Sequence, residues 1–288
     1  MSILNETYTL ANGIEIPKLQ LSTWFIEDGE PAAEAVRTAA RLGYRGIDTA
    51  QAYGNEVSVG EGARTCGIPR DELFVVSKVA AEHKTYEAAA ASIDATLERM
   101  GLDYLDMMII HAPQPWGKFR EDPRAWDEGN REAWRALEDA YEAGKLRAIG
   151  VSNFLADDLL NILESCRVRP MVNQVLAHIG NMPTEIASFC SDEGILMEAY
   201  SPIAHGEALT QPAIANVAAR YNVTPAQLCI RYVLQLGYIA LPKTANPEHM
   251  AANADVDFEI SATDMETLNV LSFADYGEFT HFPVFSGK

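Results

Sequence analysis

The sequence predicts an α/β protein, a (β/α)8 TIM barrel with an N-terminal β-hairpin capping the barrel bottom. Three observations carry that reading. Counting from Leu19, eight short strand signals appear, each followed by a helical stretch, at a period of roughly 30–35 residues, which suits a βαβ unit. The strands are apolar runs more than alternating ones, as parallel strands covered on both faces should be. No Gly-x-Gly-x-x-Gly follows the first strand, which argues against an open dinucleotide-binding sheet. A length of 288 residues then reads as a single barrel domain, 1–288.

The elements follow in order. Thr7–Leu10 and Ile14–Pro17 flank Asn12-Gly13, the strongest short hairpin signal, so residues 1–17 form the hairpin. Leu19–Ser22 opens the barrel, and Pro31–Leu42 is helical with a proline suited to a helix start. Strand Tyr44–Ile47 precedes helix Asn55–Cys66, and strand Leu73–Val79 precedes helix Tyr86–Met100, closed by Gly101. Strand Tyr104–Ile110 leads into a Pro- and Trp-rich insertion, 112–130, that would hang over the active face, and then helix Arg131–Ala143. The rhythm continues with strands Leu146–Val151, Met171–Val175, Ile195–Tyr200 and Tyr238–Leu241. Their helices are Leu155–Ser165, Thr184–Glu193, the pair Ile214–Tyr221 and Pro225–Leu236, and Pro247–Ala254. Met265–Leu271 is one more helix, and the aperiodic tail 272–288 is expected near the active face.

Bulk properties exclude several functions. The net charge of −19 argues against nucleic acid or anionic membranes as partners, since both need fields of Lys and Arg. No apolar run approaches the ~18 residues of a membrane span, and the first residues lack the basic start and apolar core of a signal peptide. Four widely spaced cysteines, without metal-ligand spacing, read as reduced thiols. A cytoplasmic monomer acting on a small molecule, with no metal, is expected.

In a barrel of this kind, functional groups sit at the C-terminal ends of strands. Those ends carry Trp24, Asp48 with Tyr53, Lys78, His111, Ser152-Asn153, Asn173-Gln174, Tyr200-Ser201 and Lys243-Thr244. Serines and amides are common at strand ends anyway, but Asp48, Tyr53, Lys78 and His111 on three successive strands form a chemical set. A phenol is a weak acid at neutral pH. Lys78 beside Tyr53 would stabilise the phenolate and lower that pKa, with Asp48 holding Lys78 charged. Tyr53 could then protonate a carbonyl oxygen while His111 orients it. Such a site has no electron source, so a cofactor must bring the hydride.

These residues carry a resemblance to the aldo-keto reductase family, notably to bacterial members resembling 2,5-diketo-D-gluconic acid reductase. It rests on Gly46–Glu56, Lys78, Ile110-His111-Ala112-Pro113, Gly150–Phe154, Asn173-Gln174, Ala199-Tyr200-Ser201-Pro202 and Leu241-Pro242-Lys243-Thr244. The resemblance implies NADPH-dependent reduction of aldehydes or ketones, with Tyr53 as proton donor and Asp48, Lys78 and His111 completing the catalytic group. It implies a cofactor site of Thr23, Ser152, Asn153, Gln174, Tyr200, Ser201, Ile203, Lys243, Thr244, His249 and Asn253. Trp24, His111 and Trp116 would contact the substrate.

The sequence also departs from the family pattern. His249 stands where Arg is usual and Ala252 where Glu is usual, which predicts a weaker NADPH preference, with NADH usable. Ser22 replaces Gly beside the cofactor ribose, and Gln20 replaces a small residue nearby. Ala112 stands where Trp is common, which predicts a more open pocket. The aromatics Phe119, Trp126, Tyr276, Phe279, Phe282 and Phe285 are either pocket wall or plain packing. The insertion has no basic cluster beyond Lys118, Arg120 and Arg124, which argues against a highly charged sugar acid. Two alternatives stay open: a dehydrogenase working mainly in the oxidative direction, and a cofactor-binding sensor subunit on the same barrel.

Overall fold

The structure, a computed structural model, describes residues 2–273 and 275–285. Positions 274 and 286–288 of the tail lie outside the described residues. Strands β1 (Thr7–Thr9) and β2 (Glu15–Pro17) form the antiparallel hairpin, with Tyr8 opposite Ile16. Gly13 takes φ +84° in its turn, and the Asn12 side chain accepts from the Ile14 N–H at 3.2 Å.

The eight barrel strands are β3 (Gln20–Ser22), β4 (Gly46–Asp48), β5 (Phe74–Val79), β6 (Met107–Ile110), β7 (Ile149–Ser152), β8 (Val172–Leu176), β9 (Leu196–Tyr200) and β10 (Ile239–Leu241). Each lies parallel to its chain neighbour. The ring closes between β10 and β3, where the Ala240 N–H donates to the Lys18 carbonyl at 2.9 Å and the Ser22 N–H to the Pro242 carbonyl at 3.2 Å. All four residues of β6, Met107–Ile110, are buried, which explains why the strand reads as a continuous apolar run.

The helices are α1 (Glu30–Arg41), α2 (Glu56–Thr65), α3 (Tyr86–Met100), α4 (Asp127–Glu142), α5 (Ala156–Leu163), α6 (Thr184–Asp192), α7 (Pro212–Arg220), α8 (Pro225–Gln235), α9 (Pro247–Ala254) and α10 (Ala262–Asn269). Local chemistry sets their ends. Thr85 caps α3 by accepting from the Ala88 N–H, and Gly101 stops it at φ +62°. Asn246 caps α9 through the Glu248 and His249 N–H groups.

One core joins the strands to the helices, and a second fills the lower barrel. In the second, Leu10 and Ile16 of the hairpin segment pack on Phe74, Met107, Val172 and Ile239, which all lie at or next to the starts of their strands. The hairpin therefore plugs the N-terminal mouth and leaves the strand ends opposite it for the site. Among the described residues no helix is long and apolar enough to cross a membrane.

Several boundaries differ from the sequence reading. Helix α4 starts four residues early, at Asp127. Gly129-Asn130 reads as loop, but Gly129 lets the helix approach Lys84, whose Cβ lies 2.8 Å from where a Gly129 Cβ would stand. Asp48 is the last residue of β4 and not the first after it. Gln20 lies at the closed end, packed on Gly46 and donating to the Pro17 carbonyl at 3.4 Å, so it cannot touch a cofactor at the open end.

Candidate active site

The strand ends converge on one buried cation. Lys78 of β5 is fully buried, and its Nζ donates to both Asp48 oxygens at 2.7 Å and to the Thr49 carbonyl at 2.9 Å. The Tyr53 hydroxyl lies 3.2 Å from the same nitrogen. A short 3-10 turn, Gln51–Tyr53, ended by Gly54 at φ +71°, returns the phenol over the lysine. An ammonium has three donors, so the two Asp48 oxygens and Thr49 use them most directly and Tyr53 holds the longest contact.

Burial, with the Asp48 charge adding, holds the Tyr53 phenol well above its usual pKa of 10. This corrects the expectation that Lys78 lowers it. Asp48 already offsets the ammonium, so desolvation of the phenolate dominates. Burial and the Lys78 charge push His111 well below its usual range, so its imidazole is neutral. The ring meets Tyr53 edge-on at 5.6 Å and Trp116 edge-on at 5.1 Å. Its buried Nδ1 has no partner among the described residues.

An amide layer sits beside this group. Asn153, at φ +61°, donates from Nδ2 to the His111 carbonyl and to Ser152 Oγ, both at 3.0 Å. It accepts from the Tyr200 hydroxyl at 2.7 Å. Gln174 Nε2 donates to Asp48 Oδ1 at 3.0 Å and to Glu198 Oε2 at 2.9 Å. Two carboxyl groups consume both amide hydrogens, and the Gln174 Oε1 has no donor among the described residues, which suits it to accept from a ligand. The turn after β9 is held in left-handed backbone at Ser201, Ala204 and His205, a conformation non-glycine residues keep only where surroundings enforce it.

A cavity of about 550 Å³ joins these groups. Ser22, Trp24, Tyr53, His111, Trp116, Ser152, Asn153, Gln174, Tyr200, Ser201, Ile203 and Lys243 line it. Phe279, Phe282 and Phe285 of the tail close one side, with Phe285 stacked on Trp24 at 6.1 Å. Asp48 and Lys78 lie beneath the wall, behind Tyr53.

The remaining expected contacts fall elsewhere. Thr23 is fully buried and its hydroxyl donates to the Asp48 carbonyl at 3.0 Å. Thr244, His249 and Asn253 do not line the cavity; His249 is exposed in the first turn of α9 and Asn253 is buried in the same helix. Ala112 is also fully buried and does not line this cavity, so its small size does not open the wall; Trp116 supplies an indole beside His111. Phe119 packs on Trp116 at 5.6 Å outside the lining, and Tyr276 is tied to His178 at 2.9 Å.

Two buried groups escaped the sequence reading. Lys84 donates to the Ala112 carbonyl at 2.8 Å and to Asn130 at 2.7 Å, bracing the segment after His111. Glu198 lies two residues before Tyr200, and period-two spacing along β9 was the available signal for it.

A buried acid, a lysine and a phenol lie together at one end of a parallel barrel, beside a neutral imidazole and an amide shelf, an arrangement suited to carbonyl chemistry. Comparisons with known proteins identify the family. The aldo/keto reductase family model matches residues 19–272. Glyoxal reductase of Bacillus subtilis (strain 168) is 40% identical over 270 residues, covering 93% of this chain and 94% of that protein. The 9,11-endoperoxide prostaglandin H2 reductase of Trypanosoma cruzi (strain CL Brener) is 38% identical, covering 92% and 90%. An aldo/keto reductase crystal structure from Brucella melitensis superposes with a TM-score of 0.85 at 32% identity, covering 92% of this chain and 98% of that one. An aldo-keto reductase complexed with NADPH gives 0.83 at 28% identity, covering 93% and 88%. The chain belongs to the aldo/keto reductase family and is an NAD(P)H-dependent oxidoreductase that reduces carbonyl compounds.

Proposed function

We propose that this protein reduces an aldehyde or ketone whose carbonyl oxygen sits between the Tyr53 hydroxyl and the His111 ring, with the nicotinamide of NADPH against Tyr200. The supporting observation is Tyr53, which lines the cavity and whose hydroxyl lies 3.2 Å from Lys78 Nζ. Bound NADPH supplies the hydride. Tyr53 keeps its proton until the carbonyl oxygen gains negative charge, then delivers it, so that C=O becomes CH–OH. The phenolate left behind meets the Lys78 ammonium, and Asp48 keeps that ammonium in place. The neutral His111 imidazole donates a hydrogen bond to the same oxygen without competing to protonate it.

The residues present fit the cofactor. The Gln174 oxygen is free to accept from the carboxamide NH2, and Ser152 and Asn153 lie beside it. Lys243 borders the cavity with its side chain exposed, and it pairs with no carboxylate among the described residues. That suits it to the 2′-phosphate, a local cation in a chain of net charge −19.

An aromatic collar of Trp24, Phe25, Trp116, Phe279 and Phe282 supports an apolar or aromatic carbonyl compound over a sugar acid. The relative's name adds glyoxal as a small dicarbonyl to include. NADPH loss with a panel of aromatic aldehydes, glyoxal and a keto-sugar acid tests this. Highest kcat/KM is expected for the aromatic aldehydes; turnover of none of them would overturn the reading.

His249 carries the cofactor-preference proposal, including usable NADH. Restoring a fixed charge with His249→Arg is expected to tighten NADPH about tenfold, the scale of one charge-assisted hydrogen bond, and leave NADH unchanged. Fluorescence titration reads both, and equal gains for both would refute a 2′-phosphate contact. The four cysteines are free thiols, which supports the proposed reducing, cytoplasmic setting. The monomer proposal is tested by light scattering.

A further inference from the structure

Glu198 is a buried acid with no part in the proton transfer above. It is 1% exposed in β9, and its Oε2 accepts from the Gln174 amide that also holds Asp48. Its Oε1 has no partner among the described residues. The charged groups acting on it are Asp48 from β4 and Lys78 from β5; β8 contributes the neutral Gln174 amide, and β10 pairs it with apolar Ile239. Two carboxyl groups therefore share one ammonium and one amide. With both ionised, the floor of the site carries an uncompensated negative charge, which a buried site tolerates poorly. Burial pushes the Glu198 carboxyl up to about 7.

Glu198 and Tyr200 lie on the same face of β9, roughly 7 Å apart along the strand. The nicotinamide proposed to stack on Tyr200 is neutral when reduced and cationic when oxidised. We propose that Glu198 is a charge-compensating positioning residue, holding a proton under the reduced ring and releasing it to solvent under the oxidised one. The inference rests on the nicotinamide seat assigned to Gln174 and Tyr200. Through Gln174, the same carboxyl keeps the amide oxygen turned toward the carboxamide.

The sign follows from linkage. The oxidised complex binds one proton fewer, so rising pH tightens NADP+ relative to NADPH. A unit charge at roughly 8 Å through an effective dielectric of about 20 gives a change of about thirtyfold across the whole titration, of which about tenfold falls between about pH 6 and pH 8. Ionisation of the 2′-phosphate affects both ligands alike and cancels in the ratio.

The test measures Kd for NADP+ and NADPH on the full chain from about pH 6 to about pH 8. The ratio Kd(NADPH)/Kd(NADP+) is expected to rise about tenfold, and calorimetry in two buffers should show proton release with NADP+ beyond that with NADPH. In Glu198→Gln the ratio should become flat. A merely structural Glu198 would shift both affinities together. A flat wild-type ratio with no excess proton release, or an unchanged slope in Glu198→Gln, overturns the proposal. If neither dinucleotide binds, the nicotinamide seat itself is wrong.

Discussion

Replacing Tyr53 by Phe is expected to lower kcat for carbonyl reduction about 10²–10⁴-fold, the usual contribution of a positioned general acid, with NADPH affinity held within about twofold. The variant removes one oxygen whose one hydrogen bond among the described residues is the long one to Lys78, so the fold should tolerate it. Because the free phenol stays protonated well above pH 10, the donor is ready throughout the neutral range. Wild-type kcat should therefore show no loss from Tyr53 ionisation between about pH 6 and pH 9. Steady-state NADPH oxidation with a fixed aldehyde reads the first effect and fluorescence titration the second. A variant turning over within about tenfold of wild type would remove Tyr53 from the donor role. It would also revive the sensor alternative if wild type were equally slow.

The barrel was legible because burial writes itself into composition. Strands covered on both faces became apolar runs such as Met107–Ile110, and glycines such as Gly101 marked helix ends. The site was legible where a polar group closed such a run: Lys78 and His111 stood out because their surroundings were apolar. What the sequence hid depends on contacts between distant segments. Nothing local distinguishes a Gly129 that lets α4 approach Lys84 from a Gly129 that breaks a helix. The direction of the Tyr53 shift depends on whether Asp48 offsets Lys78 before the phenol feels it, a matter of distances between β4 and β5. Ala112 misled because a residue next to a site histidine need not face the same cavity. Glu198 stayed unnoticed because an acid inside an apolar strand reads as an interruption until Gln174 from β8 is placed against it.

The Lys78–Asp48 pair gives the largest expected effect on stability. Lys78→Met keeps most of the side-chain volume but strands the Asp48 carboxylate, which is 1% exposed. Gln174 Nε2 remains as one neutral donor to it, and the Thr49 carbonyl loses its 2.9 Å donor. Breaking a buried pair on one side costs about 3–5 kcal/mol, because the remaining charge is left uncompensated. Removing both charges is a different change. In Lys78→Met combined with Asp48→Leu, neither charge of the pair is left without its partner, and stability should recover to within about 1–2 kcal/mol of wild type. Activity should not recover, since the phenolate formed at Tyr53 would face apolar side chains. Urea denaturation of the single and double variants, set beside their kcat values, separates the two roles of the lysine. A single variant within about 1 kcal/mol of wild type, or a double variant no more stable than the single, would show that the pair is not the buried, mutually compensating one its geometry describes. The single variant's stability deficit is electrostatic in origin, whereas its catalytic deficit lies in what the ammonium does for Tyr53 once the proton has gone, so only the first should be repaired by removing Asp48.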